Sequence, residues 1–195
     1  MVRPREFDTD TALRALTALF WEHGYDGTSL HDIERGTGLR KQSLYRAFGD
    51  KRAMYLAALA AYERAEMVDA AKLLNGPGDA HARFARLFRR IIDDAVEDGD
   101  RRGCFLCNAS IDQAPMDTQT DKLVADMMAR LERTFDKTLS ADAESIGDPE
   151  AHRKTVRALM TGYLGLRVLV KAGADRDMLE DAASTLLSSL CPVAA

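Results

Sequence analysis

The chain has 195 residues, 46% of them hydrophobic and 30% charged, with a net charge of −4. That composition can build a buried core, while the longest apolar stretch, ALMTGYLGLRVLV, is interrupted by Thr161 and Arg167 and is too short to span a bilayer. With no signal sequence at the start and three cysteines outside any disulfide framework, the expectation is a cytoplasmic protein with free thiols and no membrane partner.

The predicted elements are all helices. Leu13, Leu16 and Phe20, spaced three and four apart, place a first helix over residues 8–23, and the glycines of HGYDGTS stop it. Ser29 with Asp32 has the spacing of a capping box and opens a short second helix whose inward residues are Leu30 and Ile33. After RGTGL a third short helix is expected over 40–47. Gly49 and Asp50 then end it and start a long fourth helix to Leu74.

Charge is unevenly distributed over these elements. Residues 35–52 hold six Lys or Arg and one acid, a local basic patch on an acidic chain, which points to a polyanion partner at one end. On the third helix Leu44 and Phe48 share a face, while Gln42 and Arg46 lie opposite, flanked by Ser43 and Tyr45. Two short helices joined by a Gly-containing turn, the second with a donor-rich outer face, are the ingredients of a helix-turn-helix. Arg can bond guanine edges and Gln adenine edges, and Lys and Tyr reach phosphates.

Beyond the turn NGPGD at residues 75–79, helical patterns run over 80–98, 104–114, 117–141, 149–172 and 175–190. RRGCFLCNAS carries Cys104 and Cys107 in a C-x-x-C spacing. No second ligand pair stands at matching spacing for zinc, and His23, His31, His81 and His152 are scattered, so no metal or cofactor is expected. Two small buried residues on a helix are the plain reading. The sharper one places Cys104 in a first helical turn, where the positive helix end with Arg101 and Arg102 favours thiolate, making it a sensor of electrophiles or oxidants. A small helical thiol oxidoreductase using both cysteines is the alternative from another class, although neither a preceding strand nor a βαβ context is visible. Phe84, Phe88, Phe105, Met116, Met127 and Tyr163 are candidates to line a ligand cavity between the middle helices. On the last two helices Leu159, Tyr163 and Val168, and Met178, Leu186 and Leu190, form apolar stripes expected to make a homodimer interface, with Gly162 and Gly165 allowing close approach.

The run GYDGTSLHDIERGTGLRKQSLYRAFGDKRAMY resembles the tetracycline-repressor-like (TetR) family of transcriptional regulators through Gly24, Tyr25, Thr28, Ser29, Asp32, Ile33, Gly38, Leu39, Leu44, Tyr45, Phe48 and Lys51. The resemblance implies a non-enzymatic, all-α regulator of nine to ten helices. A three-helix DNA-binding head over residues 1–50 would precede a ligand-binding and dimerisation body over 51–195. The implied partners are a palindromic double-stranded operator, a second copy of the chain and a small-molecule inducer. Thr28, Tyr45 and Lys51 would contact phosphates, and Lys41, Gln42 and Ser43 would approach bases, within a DNA-facing set completed by Ser29, Arg40 and Arg46. Glu34 and Thr37 stand where the family usually has alanine, Gln42 where it often has glycine, and Ala47 where an aromatic or His is common.

Overall fold

The computed structural model describes residues 8–141 and 148–190, with Leu190 described by its backbone alone. Among these residues there are nine α-helices and no strand: α1 (Thr9–His23), α2 (Leu30–Thr37), α3 (Lys41–Phe48), α4 (Lys51–Leu74), α5 (Ala80–Val96), α6 (Phe105–Asp112), α7 (Thr118–Ser140), α8 (Pro149–Ala172) and α9 (Arg176–Leu190). The all-helical fold expected from apolar spacing is the one observed. Spacing alone continues α6 to Ala114, but the helix ends at Asp112 and a 3₁₀ turn, Ala114–Met116, follows.

Short-range chemistry sets the helix boundaries. The Asp32 N–H donates to Ser29 Oγ at 3.1 Å and the Ser29 N–H to Asp32 Oδ2 at 3.0 Å, completing the capping box that opens α2. Gly38, with φ of +69°, closes α2 in the left-handed region that favours glycine. Asp79 caps α5 by accepting from the Ala82 N–H at 2.8 Å. Asp148 does the same for α8, whose first turn tolerates Pro149 because that position has no helical acceptor for an N–H.

Contacts divide the chain into two compact units, Met1–Ala65 with Asn108–Val124, and Glu66–Cys107 with Ala125–Ala195. This differs from a single cut after residue 50, because the first turns of α4 complete the head's core. Met54, Tyr55, Ala58 and Leu59 are buried there beside Leu16, Phe20, Ile33 and Leu44. Tyr55 meets Phe20 and Tyr25 edge-on, both at 5.3 Å, and Trp21 packs on Tyr62 at 4.8 Å. Each such large side chain withdrawn from water stabilises the unit by about 1.5–3 kcal/mol. The corner from α6 to α7 joins the same unit, where Asp117 ion-pairs with Arg52.

The second unit is built on α5, α8 and α9 with parts of α4, α6 and α7. Phe84 meets Phe135 at 5.0 Å and Phe135 meets Tyr163 at 5.5 Å, both edge-on, among the buried Phe88, Leu159 and Leu179. Two of the residues expected at a dimer interface therefore belong to this chain's own core. Leu159 is fully buried and Tyr163 nearly so, since the stripe they share is the one α8 turns toward α5 and α7. Leu186 is half-buried against α8, where a Cβ on Gly162 would overlap it. Gly162 thus serves helix contact within the chain. Val168 and Met178 are exposed, at 49% and 53%. The Leu190 side chain lies outside the described residues.

Candidate functional site

In the first unit, α3 is held by its apolar side and presents the rest outward. Leu44 is fully buried, Phe48 half-buried, and Arg40, Lys41, Gln42, Tyr45 and Arg46 are exposed, with Ser43 at the flank. The Lys41 ammonium lies 5.3 Å from the Tyr45 ring centre, and its backbone N–H donates to Glu34 Oε1 at 2.6 Å. Glu34, an acid on α2 just before the basic patch, is thus used to fix the start of α3. Lys51, the first residue of α4, sits with its ammonium 4.3 Å over the Tyr25 ring and half-exposed. The result is one surface carrying four cations, an amide and a phenol, suited to phosphate oxygens and base edges together.

Two members of the expected DNA-facing set are engaged inside the unit. Thr28 is fully buried, and its hydroxyl donates to the Gly24 carbonyl at 2.7 Å. It cannot offer that hydroxyl to a phosphate and instead closes the turn between α1 and α2. Ser29 is exposed, but its hydroxyl donates to Asp32 at 2.6 Å, within the capping box. Asp32 consequently holds its proton less tightly than an ordinary carboxyl, chiefly through the Ser29 hydroxyl.

In the second unit, Cys104 and Cys107 are both buried and hydrogen-bonded to each other. Cys104 lies just before α6, whose first residue is Phe105, so it precedes the first turn where spacing had placed it. Hydrogen bonding to Cys104, then burial, push the Cys107 thiol well above its ordinary range. The neighbouring Arg102 is committed to Asp100 at 2.7 and 2.8 Å, and holds that carboxyl below its ordinary range. The cations acting on the Cys107 thiol come from α8 instead: Arg167 and Lys171.

Gly103, at φ of +73°, leaves no room for a side chain, because a Cβ there would stand 3.0 Å from both the Arg167 carbonyl oxygen and the Lys171 Cβ. Arg167 itself ion-pairs with Glu66 of α4 and lies 5.0 Å from the Tyr163 ring centre. Burial pushes the Tyr163 phenol upward, so it remains protonated. Glu66 and Arg167 escape a reading of the sequence because they are 101 positions apart, and neither belongs to a recognisable motif.

The residues expected to line a cavity separate into two kinds. Phe84, Phe105, Met127 and Tyr163 are buried side chains of the packed interior, whereas Met116 is 83% exposed on the 3₁₀ turn. Phe88 does border a space, a groove of about 480 Å³ between α5 and α9, with Ile92 and Leu187 at its floor. Apolar spacing identifies buried side chains but does not distinguish filled space from empty.

Comparison with known proteins agrees with this geometry. The tetR family of bacterial regulatory proteins matches residues 12–58, spanning α1 to the start of α4. Over 194 residues the chain is 30% identical to the uncharacterized HTH-type transcriptional regulator YezE of Bacillus subtilis (strain 168), covering 97% of this chain and 100% of that one. It is 28% identical to the HTH-type transcriptional repressor ComR of Escherichia coli (strain K12), over 95% of this chain and 90% of the repressor. Among solved structures, a cysteine mutant of the TetR family transcriptional regulator CifR complexed with 26-bp double-strand operator DNA superposes with a TM-score of 0.86. That match has 27% identity and covers 96% of this chain and 99% of the other.

Proposed function

Because the chain belongs to the tetR family of bacterial regulatory proteins, which are DNA-binding transcriptional regulators and not enzymes, we propose that it acts as a homodimeric repressor of a palindromic operator, released by a small ligand or thiol-reactive compound. The outward face of α3 carries this reading: Arg40, Lys41, Gln42 and Arg46 stand exposed together while Leu44 anchors the helix from behind. The ComR and CifR likenesses support repression and operator binding. Selection of DNA from a random pool by the full chain tests it. The expected product is a twofold-symmetric site with half-sites spaced by whole helical turns, about 10 bp or a multiple, bound by two chains. Enrichment of no sequence, or one chain on an asymmetric site, overturns the reading.

For release, Cys104 is the sensing group. Its sulfur adds to an electrophilic carbon, and the thiol proton passes to the acceptor's adjacent carbon or oxygen. An added group beside Gly103 would push against α8, since even a Cβ at Gly103 would stand 3.0 Å from the Arg167 carbonyl oxygen and the Lys171 Cβ. Arg167 carries the displacement to Glu66 and so to α4, the continuous helix whose first turns complete the head's core. Treating wild type, Cys104→Ser and Cys107→Ser with a quinone and measuring operator binding separates the readings. Release confined to proteins retaining Cys104 supports the thiol route, and release that persists in Cys104→Ser leaves a non-covalent ligand. The thiol oxidoreductase suggested by the C-x-x-C spacing is set aside with family membership.

A further inference from the structure

The end of α3 that carries Arg40, Lys41 and Gln42 is not anchored by its own apolar side chains. Leu44, fully buried, and the half-buried Phe48 hold the middle and the far end of the helix, whereas Lys41, Gln42 and Ser43 in the first turn include no buried side chain. Nor does this end cap itself. Arg40 stands at the N-cap and makes no side-chain hydrogen bond there, because a guanidinium offers no acceptor to an N–H.

Polar groups of α2 take over that task. The Lys41 N–H donates to Glu34 Oε1 at 2.6 Å, and the Glu34 carbonyl accepts the Gly38 N–H at 2.9 Å. One residue therefore closes α2 with its main chain and opens α3 with its side chain. Thr37 stiffens the turn between them: its hydroxyl donates to the Ile33 carbonyl at 2.7 Å and accepts the Leu39 N–H at 3.2 Å. A carboxylate at this point also has the favourable sign for the positive end of a helix, and its bond to an N–H is charge-assisted.

We propose that Glu34 is a positioning residue for base recognition, its carboxylate fixing the start of α3 against α2 so that Arg40, Lys41 and Gln42 stand in register with base edges. The proposal rests on the reading of α3 as the helix that meets the operator. Long Lys and Arg side chains follow a phosphate through small shifts of a helix. A hydrogen bond to a base edge does not, and is lost once its distance grows by roughly 0.5 Å. Release of the first turn of α3 therefore acts on the operator and spares random DNA.

The test titrates wild type, Glu34→Ala and Glu34→Gln against the operator selected from the random pool and against random DNA of the same length, at one salt concentration. The readout is the ratio of the two affinities. A partly unfolded variant loses both affinities by the same factor, and the charge removed with Glu34 bears on both DNAs alike, so neither effect moves the ratio. The ratio should fall about tenfold in Glu34→Ala, the cost of about one base contact. It should stay at the wild-type value in Glu34→Gln, whose amide oxygen accepts the Lys41 N–H in the carboxylate's place. A wild-type ratio in Glu34→Ala, or the same lowered ratio in both variants, overturns the proposal. Amide exchange at Lys41, followed by NMR on the protein without DNA, should be about fivefold faster in Glu34→Ala than in wild type or Glu34→Gln. Unchanged exchange in Glu34→Ala overturns the proposal as well. Because that measurement uses no DNA, it judges the bond from Glu34 separately from the reading of the chain as an operator-binding protein.

Discussion

Thr28 and Lys51 show how residues of one sequence motif take opposite roles. Resemblance placed both at phosphates, yet the Thr28 hydroxyl is turned inward to the Gly24 carbonyl and Lys51 remains half-exposed over Tyr25. A motif identifies positions, whereas the direction of a side chain depends on the turn it closes, which is not visible in the string. Thr28→Val, which keeps the shape and removes the hydroxyl, should destabilise the protein by about 1 kcal/mol in urea unfolding. It should leave the salt dependence of DNA binding unchanged. In contrast, Lys51→Ala should weaken binding to all sequences and lower the salt slope by about 1. At Gly103, alanine would meet both a strained backbone and the walls of α8, so Gly103→Ala should cost more than 1 kcal/mol, measured by the same unfolding.

At the scale of elements, the helices were legible because their ends are written in neighbouring residues. Ser29 with Asp32, Asp79, Gly38 and the pair Asp148 and Pro149 each act within one turn. Which face of α8 points inward was not legible, because an apolar stripe looks the same whether it meets a helix of its own chain or of a partner. The grouping of residues 108–124 with the head was also hidden, since it depends on pairs such as Arg52 and Asp117, 65 positions apart. Hydrogen bonds from Arg52, then from Thr120, hold the Asp117 carboxyl down at about 2, against an ordinary 3.8. The unfolded chain takes up this proton near 3.8 and the folded chain only near 2. The resulting stabilisation is whole above pH about 4 and disappears as pH falls through about 2. Because Arg52 is 42% exposed, solvent screening reduces it to about 1 kcal/mol. Asp117→Asn should therefore be less stable than wild type by about that amount at pH 7, with the difference closing toward pH 2 in urea unfolding.

For the whole molecule, the proposed dimer changes which surface must be tested. Tyr163 and Leu159 are core, so Tyr163→Glu should unfold the chain. Val168 and Met178 are exposed on α8 and α9, and a protein carrying both V168E and M178E should sediment as a monomer with unchanged helix content. A stable dimer in that variant would move the interface elsewhere. The outward face of α3 was largely legible, because helix periodicity alone put Gln42 and Arg46 opposite Leu44. The Glu66 and Arg167 pair beside the thiols was not, because only folding brings those residues together. Base reading by α3 is tested most directly by titrating wild type and Gln42→Ala against the selected operator and against random DNA at one salt concentration. The predicted result is a loss of about 1–3 kcal/mol on the operator with unchanged binding to random DNA. Equal loss on both, or none on either, would contradict it.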